Sequence, residues 1–117
     1  MIAEEWDEQS GESLARRLAT ARGIDWLYMD MRTEEKIRAG IEEKQRDRRV
    51  SGQQLKLPSD DLREHAWADK LEASGREHVL VVCGYFHLDG LVRKLRARGH
   101  ETAQRVYLES VTEIRES

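Results

Sequence analysis

A chain of 117 residues, 38% hydrophobic and 37% charged, holds material for one modest core built from a few concentrated segments. Its net charge of -3 supplies no basic excess for a nucleic-acid backbone and no dense acidic tail. No apolar run approaches bilayer length, and the amino terminus "MIAEEWDEQSGE" is acidic where a secretory signal would be basic and then apolar, so a cytoplasmic protein binding neither nucleic acid nor membrane is expected.

A short strand is expected at Ile2 to Glu4. "GESLARRLATARG" then places Leu14, Ala15, Leu18 and Ala19 on one helical face, with Gly23 as a stop. "IDWLYMD" is rich in aromatic and apolar residues and reads as a strand ending on Asp30. "TEEKIRAGIEEKQRDRR" has Thr33 as an N-cap and acidic residues in its first turn, which predicts an exposed helix. "VSGQQLKLP" breaks the periodicity with Gly52 and Pro58 and reads as a loop.

"SDDLREHAWADKLEASG" restarts a helix, capped by Ser59 or Asp60, with Leu62, Ala66 and Leu71 as its apolar stripe and Gly75 at its end. "HVLVVCG" is a continuous apolar run, the pattern of a strand covered on both faces in the middle of a parallel sheet. "LDGLVRKLRARG" follows as a helix closed by Gly99, and "ETAQRVYLES" gives a last strand around Ala103 to Leu108. Strands alternating with helices predict a single α/β domain over 1–117, with a small, mostly parallel sheet and helices packed on its faces. The lone Cys83 forms no internal disulfide and no structural zinc site, and reads as a small hydrophobe.

Ligands of open α/β sheets bind beyond the carboxyl ends of the strands. The residues standing there are Glu4 and Glu5, Asp30 and Arg32, then Gly84 and His87. Gly84 can adopt backbone conformations closed to other residues and allows close approach. His87, near a helix amino terminus, is expected to be a neutral imidazole, suited to act as a general base or to bind a metal, although an isolated Gly-x-x-His is more often a packed first turn. Arg63 is poorly placed for the dipole of its own helix and can hold a carboxylate or another anion, or form a surface ion pair. Glu4, Glu5 and Asp30 can accept protons, bind a cation, or stand as solvated and capping charges.

"VLVVCGYFHLDGLVRKLRARGHE" resembles the carboxyl-terminal Gly-x-x-His segment of the superfamily that joins erythromycin esterase, ChaN, TraB/PrgY, GumN and Tiki proteins. There too an apolar strand runs into Gly-x-x-His, followed by the pattern of Leu88, Gly90 and Leu91. "DDLREHAWADKLEASG" is similar to the family segment in which an arginine, here Arg63, opens a helix, with Glu64 in place of a common asparagine. The similarity spans most of the chain and is specific at Arg63 and from Gly84 to Gly90. It implies an α/β fold whose site combines two Gly-x-x-His segments, acidic residues and an arginine, with metal-dependent peptide cleavage, ester hydrolysis or haem and iron handling among its activities. No first Gly-x-x-His precedes Gly84, and "MIAEEW" looks like the family's second strand, so the leading strand and histidine are expected to be missing.

The resulting expectation is a hydrolase of ester or amide bonds acting on a small molecule or peptide. His87 would be the base or a ligand to a divalent metal, Glu5 a base or ligand, and Arg63 the stabiliser of negative charge, with Gly84, Asp30 and Glu4 lining the site. The rival expectation is a non-catalytic ligand-binding or interaction module that kept the fold. A missing strand would leave an open sheet edge, and with it a route to a homodimer.

Overall fold

The computed structural model describes residues 1–6, 10–41 and 58–105, together with the backbone of 49–50 and 53–54. The chain order is β1 (Ile2–Glu4), α1 (Leu14–Arg22), β2 (Trp26–Tyr28), α2 (Thr33–Arg38), β3 (Arg49–Val50), β4 (Gln53–Gln54), α3 (Pro58–Ala73), β5 (Leu80–Val82) and α4 (Tyr85–Ala97). The α/β class with a small parallel sheet is what the sequence predicts.

The sheet runs β2-β1-β5 with both pairings parallel, and Ala3 stands level with Leu27 on one side and Val81 on the other. The central strand is therefore β1, and "VLVVC" forms the edge. Side chains alternate across a strand, so Val81 turns inward while Leu80 and Val82 are 62% and 37% exposed. The length of the apolar run had suggested cover on both faces; α3 and α4 cover only one of them.

On that covered face Ala3 and Met29 meet Trp67, Ala68, Leu71 and Leu91, with Leu27, Val79, Val81, Cys83 and Leu95 packed around them. Ala3 has to be small, because helices close over it. On the opposite face α1 lies against β1 and β2. It buries Ala19, with Ala15 half-buried, while Leu14 and Leu18 of the expected stripe are exposed. Ser13 caps α1 by accepting the Arg16 N–H at 3.0 Å, and Gly23, with φ 67°, ends it.

Three boundaries differ from the sequence reading. The helix α2 stops at Arg38, because Gly40 (φ 78°) reverses the chain and lets the Ile41 N–H bond back to the Lys36 carbonyl at 2.9 Å. Residues 42–48 of the expected longer helix lie outside the described residues. The expected loop contains a short antiparallel pair, Arg49 opposite Gln54 and Val50 opposite Gln53. At the carboxyl end, 103–105 form no strand, and 106–108 lie outside the described residues.

Helix α3 begins at Pro58, a residue suited to the first helical position because its missing N–H is not needed there. Ser59 and Asp60 thus fall inside the first turn and are not the cap. The inward stripe runs through Asp60, Arg63, Glu64, Trp67, Ala68 and Leu71, at i, i+3, i+4, i+7, i+8 and i+11, with Ser59 buried beside its start. Leu62, assigned to the core stripe by its side chain alone, is 50% exposed. Half of the inward face is ionic, which hid it from a hydrophobicity pattern.

Trp67 and Leu62 should therefore respond in opposite ways. Trp67→Ala is expected to destabilise the protein by about 3–5 kcal/mol, and Leu62→Ser to stay within about 0.5 kcal/mol of wild type, both read by urea unfolding.

Candidate functional site

Each parallel strand is followed by a residue of the site, two of which meet α3 at Arg63. Glu5 follows β1, Asp30 lies two residues beyond β2, and Gly84 lies two residues beyond β5 and opens α4. From β1 the chain passes to β2 on one side and later returns to β5 on the other, so the carboxyl end of β1 is the topological switch point of the sheet. The buried ionic face of α3 stands over it.

Arg63 grips Asp30 with two bonds, Nε to Oδ1 at 3.1 Å and Nη2 to Oδ2 at 2.7 Å, and Nη2 also donates to Glu5 Oε2 at 2.8 Å. Asp30 further accepts the Trp67 Nε1–H at 2.9 Å and the Met31 N–H at 2.8 Å, with Lys36 Nζ 3.2 Å from Oδ2. Burial alone would push the Asp30 carboxyl up. The hydrogen bond and charge of Arg63, then the charge of Lys36 and the Trp67 bond, outweigh it and hold the group below its ordinary 3.8. Lys70 adds a bond to the Asp30 carbonyl at 2.9 Å and an ion pair with Glu35 at 3.4 Å.

His87 lies in the first turn of α4 and is 1% exposed. Its Nδ1 stands 2.9 Å from Glu64 Oε2, and its Nε2 stands 3.5 Å from Glu5 Oε2 and 3.6 Å from Asp60 Oδ1. The Trp67 ring is 4.5 Å from the imidazole, centroid to centroid, and 5.4 Å from the Arg63 guanidinium carbon. Glu5 is held from two sides, since its other oxygen accepts the Gly84 N–H at 2.8 Å. With its side chain 19% exposed, Glu5 is the most exposed of the three carboxylates around His87.

The candidates His87, Arg63, Glu5, Asp30 and Gly84 thus meet in one place. Glu4 does not. Strand alternation turns it to the α1 face, where Oε1 accepts from Ser13 Oγ at 2.5 Å and from Trp26 Nε1 at 3.0 Å. Gly84 has φ -66° and ψ 150°, ordinary extended values, so glycine is present for space and not for a special dihedral. Arg63 commits Nε and Nη2 to internal carboxylates and holds Glu5 in place. Sequence reasoning missed Asp60, Glu64, Trp67, Lys36, Lys70 and the spatial role of Gly90. The i, i+3, i+4, i+7 spacing of Asp60, Arg63, Glu64 and Trp67 was the available signal.

A divalent metal, left open as a possibility by the sequence, does not fit this arrangement. Among the described residues no group of three or more His, Cys, Asp or Glu is disposed to hold a metal ion. The Arg63 guanidinium already supplies the cation at Glu5 Oε2 and Asp30. Cys83 is no nucleophile at neutral pH, because burial, with the Glu5 and Glu64 charges adding to it, pushes its thiol up to about 12.

No protein-family model matches this chain, and no match is found among curated proteins or solved structures. Among the described residues no helix is long and apolar enough to cross a membrane.

Two measurements probe the site's electrostatics. The Asp30 carboxyl is lowered in the folded state, so its contribution is present above about pH 4 and is lost as pH falls through the lowered value. Asp30→Asn is expected to cost about 3–5 kcal/mol at neutral pH, with the gap to wild type closing on acidification. Cys83 is expected to resist thiol reagents at about pH 8 in the folded protein and to react fully once the protein is unfolded in urea.

Proposed function

We propose that this protein hydrolyses an ester or amide bond in a small molecule or peptide, with His87 and Glu5 as its acid–base pair. One observation carries the proposal: an imidazole nitrogen lies 3.5 Å from a partly exposed carboxylate, at the switch point of a parallel sheet. Glu64 on Nδ1 fixes the ring orientation, as a buried acid does for the histidine of a hydrolytic triad.

In this reading a water molecule at Glu5 attacks the carbonyl carbon. The pair takes one proton from the water and delivers one to the leaving oxygen or nitrogen as its bond to carbon breaks. Arg63 acts through Glu5, keeping that carboxylate aimed, and so is a positioning residue. The resemblance at Arg63 and from Gly84 to Gly90 supports the same class of reaction.

A second reading has its own observation. His87 is closed off, and Leu80 and Val82 lie exposed on the edge strand β5, which suits a binding module that pairs with a second copy. An ester and peptide panel separates the two. Under the hydrolase reading the wild type turns over at least one substrate class, and Glu5→Gln and His87→Gln each lower kcat by about 10²–10⁴. No turnover on any substrate would favour the binding module, and unchanged rates in both folded variants would remove His87 and Glu5 from the chemistry.

A further inference from the structure

His87 is flanked by two glycines at equal spacing, in Gly84-x-x-His87-x-x-Gly90. Gly84 takes ordinary extended dihedrals, and Gly90 lies inside α4, where glycine costs helix stability. Their surroundings supply the reason for both. A Cβ on Gly90 would stand 1.9 Å from Glu64 Oε1 and 2.8 Å from its carboxyl carbon, while one on Gly84 would stand 3.3 Å from Glu5 Oε1. Glu64 is 1% exposed, so a carboxylate displaced from beside Gly90 would have to leave His87. Each glycine is thus the slot for one of the carboxylates beside the imidazole.

We propose that this segment is a two-slot holder that seats Glu64 and Glu5 against opposite ring nitrogens, so that His87 rests as an imidazolium and serves as the acid, leaving Glu5 as the base. This rests on the acid–base pair proposed above and assigns the proton within it. Carboxylates face both ring nitrogens: Glu64 at Nδ1, with Glu5 and Asp60 at Nε2. A neutral ring would turn a lone pair on a carboxylate.

Of the other groups around the ring, the Trp67 ring favours the charged form, and the nearby cations, which oppose it, are each turned to a carboxylate. The Trp67 face lies against it. Lys94 on α4 stands 3.6 Å from Glu64 Oε1, on the side of the carboxylate away from the ring. Arg63 on α3 is turned to Glu5 and Asp30, and Cys83, at the end of the β5 segment, stays a neutral thiol. In turnover the Glu5 carboxylate takes a proton from water as the hydroxyl bonds to the carbonyl carbon. The imidazolium Nε2–H protonates the leaving group, and the proton on Glu5 then returns to His87.

The test needs no substrate. Long-range proton–nitrogen spectra of the labelled full chain, with His87 assigned by its loss in His87→Gln, report ring protonation directly. At about pH 7.5, a full unit above the ordinary histidine midpoint, His87 is expected to show imidazolium shifts on both nitrogens. Glu64→Gln, isosteric and uncharged, is expected to convert it to a neutral ring at that pH. A neutral wild-type ring, or a Glu64→Gln ring still charged, would overturn the proposal.

The slot itself is read by background. Gly90→Ala is expected to abolish cooperative folding or to weaken it sharply in the wild-type chain, and to be accepted once Glu64→Ala has emptied the slot. Equal damage in both backgrounds would remove Gly90 from the account. A failed substrate panel with His87 charged would refute hydrolysis alone, and a neutral His87 in a working hydrolase would refute only this assignment.

Discussion

A guanidinium buried beneath a sheet has to find carboxylates, and Arg63 finds two from separate strands. Its paired bonds to Asp30 and its third bond to Glu5 tie the ends of β2 and β1 to the middle of α3. An unpaired charge at this depth would cost several kcal/mol, so the partners are fixed almost as firmly as covalent neighbours. The rotation of α3 follows. Arg63 pointing inward brings Asp60, Glu64 and Trp67 with it by helical spacing and turns Leu62 out to solvent. Trp67 then fills the space under the strands and binds Asp30 through its indole N–H.

How legible this was depended on which force ruled each segment. The stop at Gly23 was written in local chemistry and could be read directly, whereas Ser13 was not singled out and the caps expected at Thr33 and at Ser59 or Asp60 fall inside their helices. The α/β class followed from the alternation of apolar and amphipathic segments. Strand order was not local, and "VLVVC", the most apolar run, became an edge, while "IAE" took the centre because a three-residue strand with a small alanine fits beneath two helices. The inward face of α3 defeated a reading by hydrophobicity, since three of its six positions are ionisable and are stabilised by one another rather than by apolar burial.

The site was legible in part for the same reason. Residues that end strands converge by topology, which brought Glu5, Asp30, Gly84 and His87 into consideration together. Glu4 failed on alternation, one residue from success. Glu64 and Asp60 lay on a face assigned to solvent, so the histidine appeared to have only a helix dipole for company, and a neutral ring was the natural expectation. Three carboxylates around the ring are the ground for proposing the charged form instead, and Gly84 and Gly90 gain a reason in space beside the carboxylates.

Everything proposed for His87 and Glu5 presupposes that Arg63 and Asp30 act as one unit beneath them. A double-mutant cycle on folding stability, using Arg63→Met, Asp30→Leu and the pair, measures that directly. Each single change strands a buried charge and should be costly, while the double change removes both, so the coupling is expected at about 1–3 kcal/mol, with the double variant more stable than the two losses would sum to. Losses that simply add would mean that the two side chains do not depend on each other, and would contradict the account at its foundation.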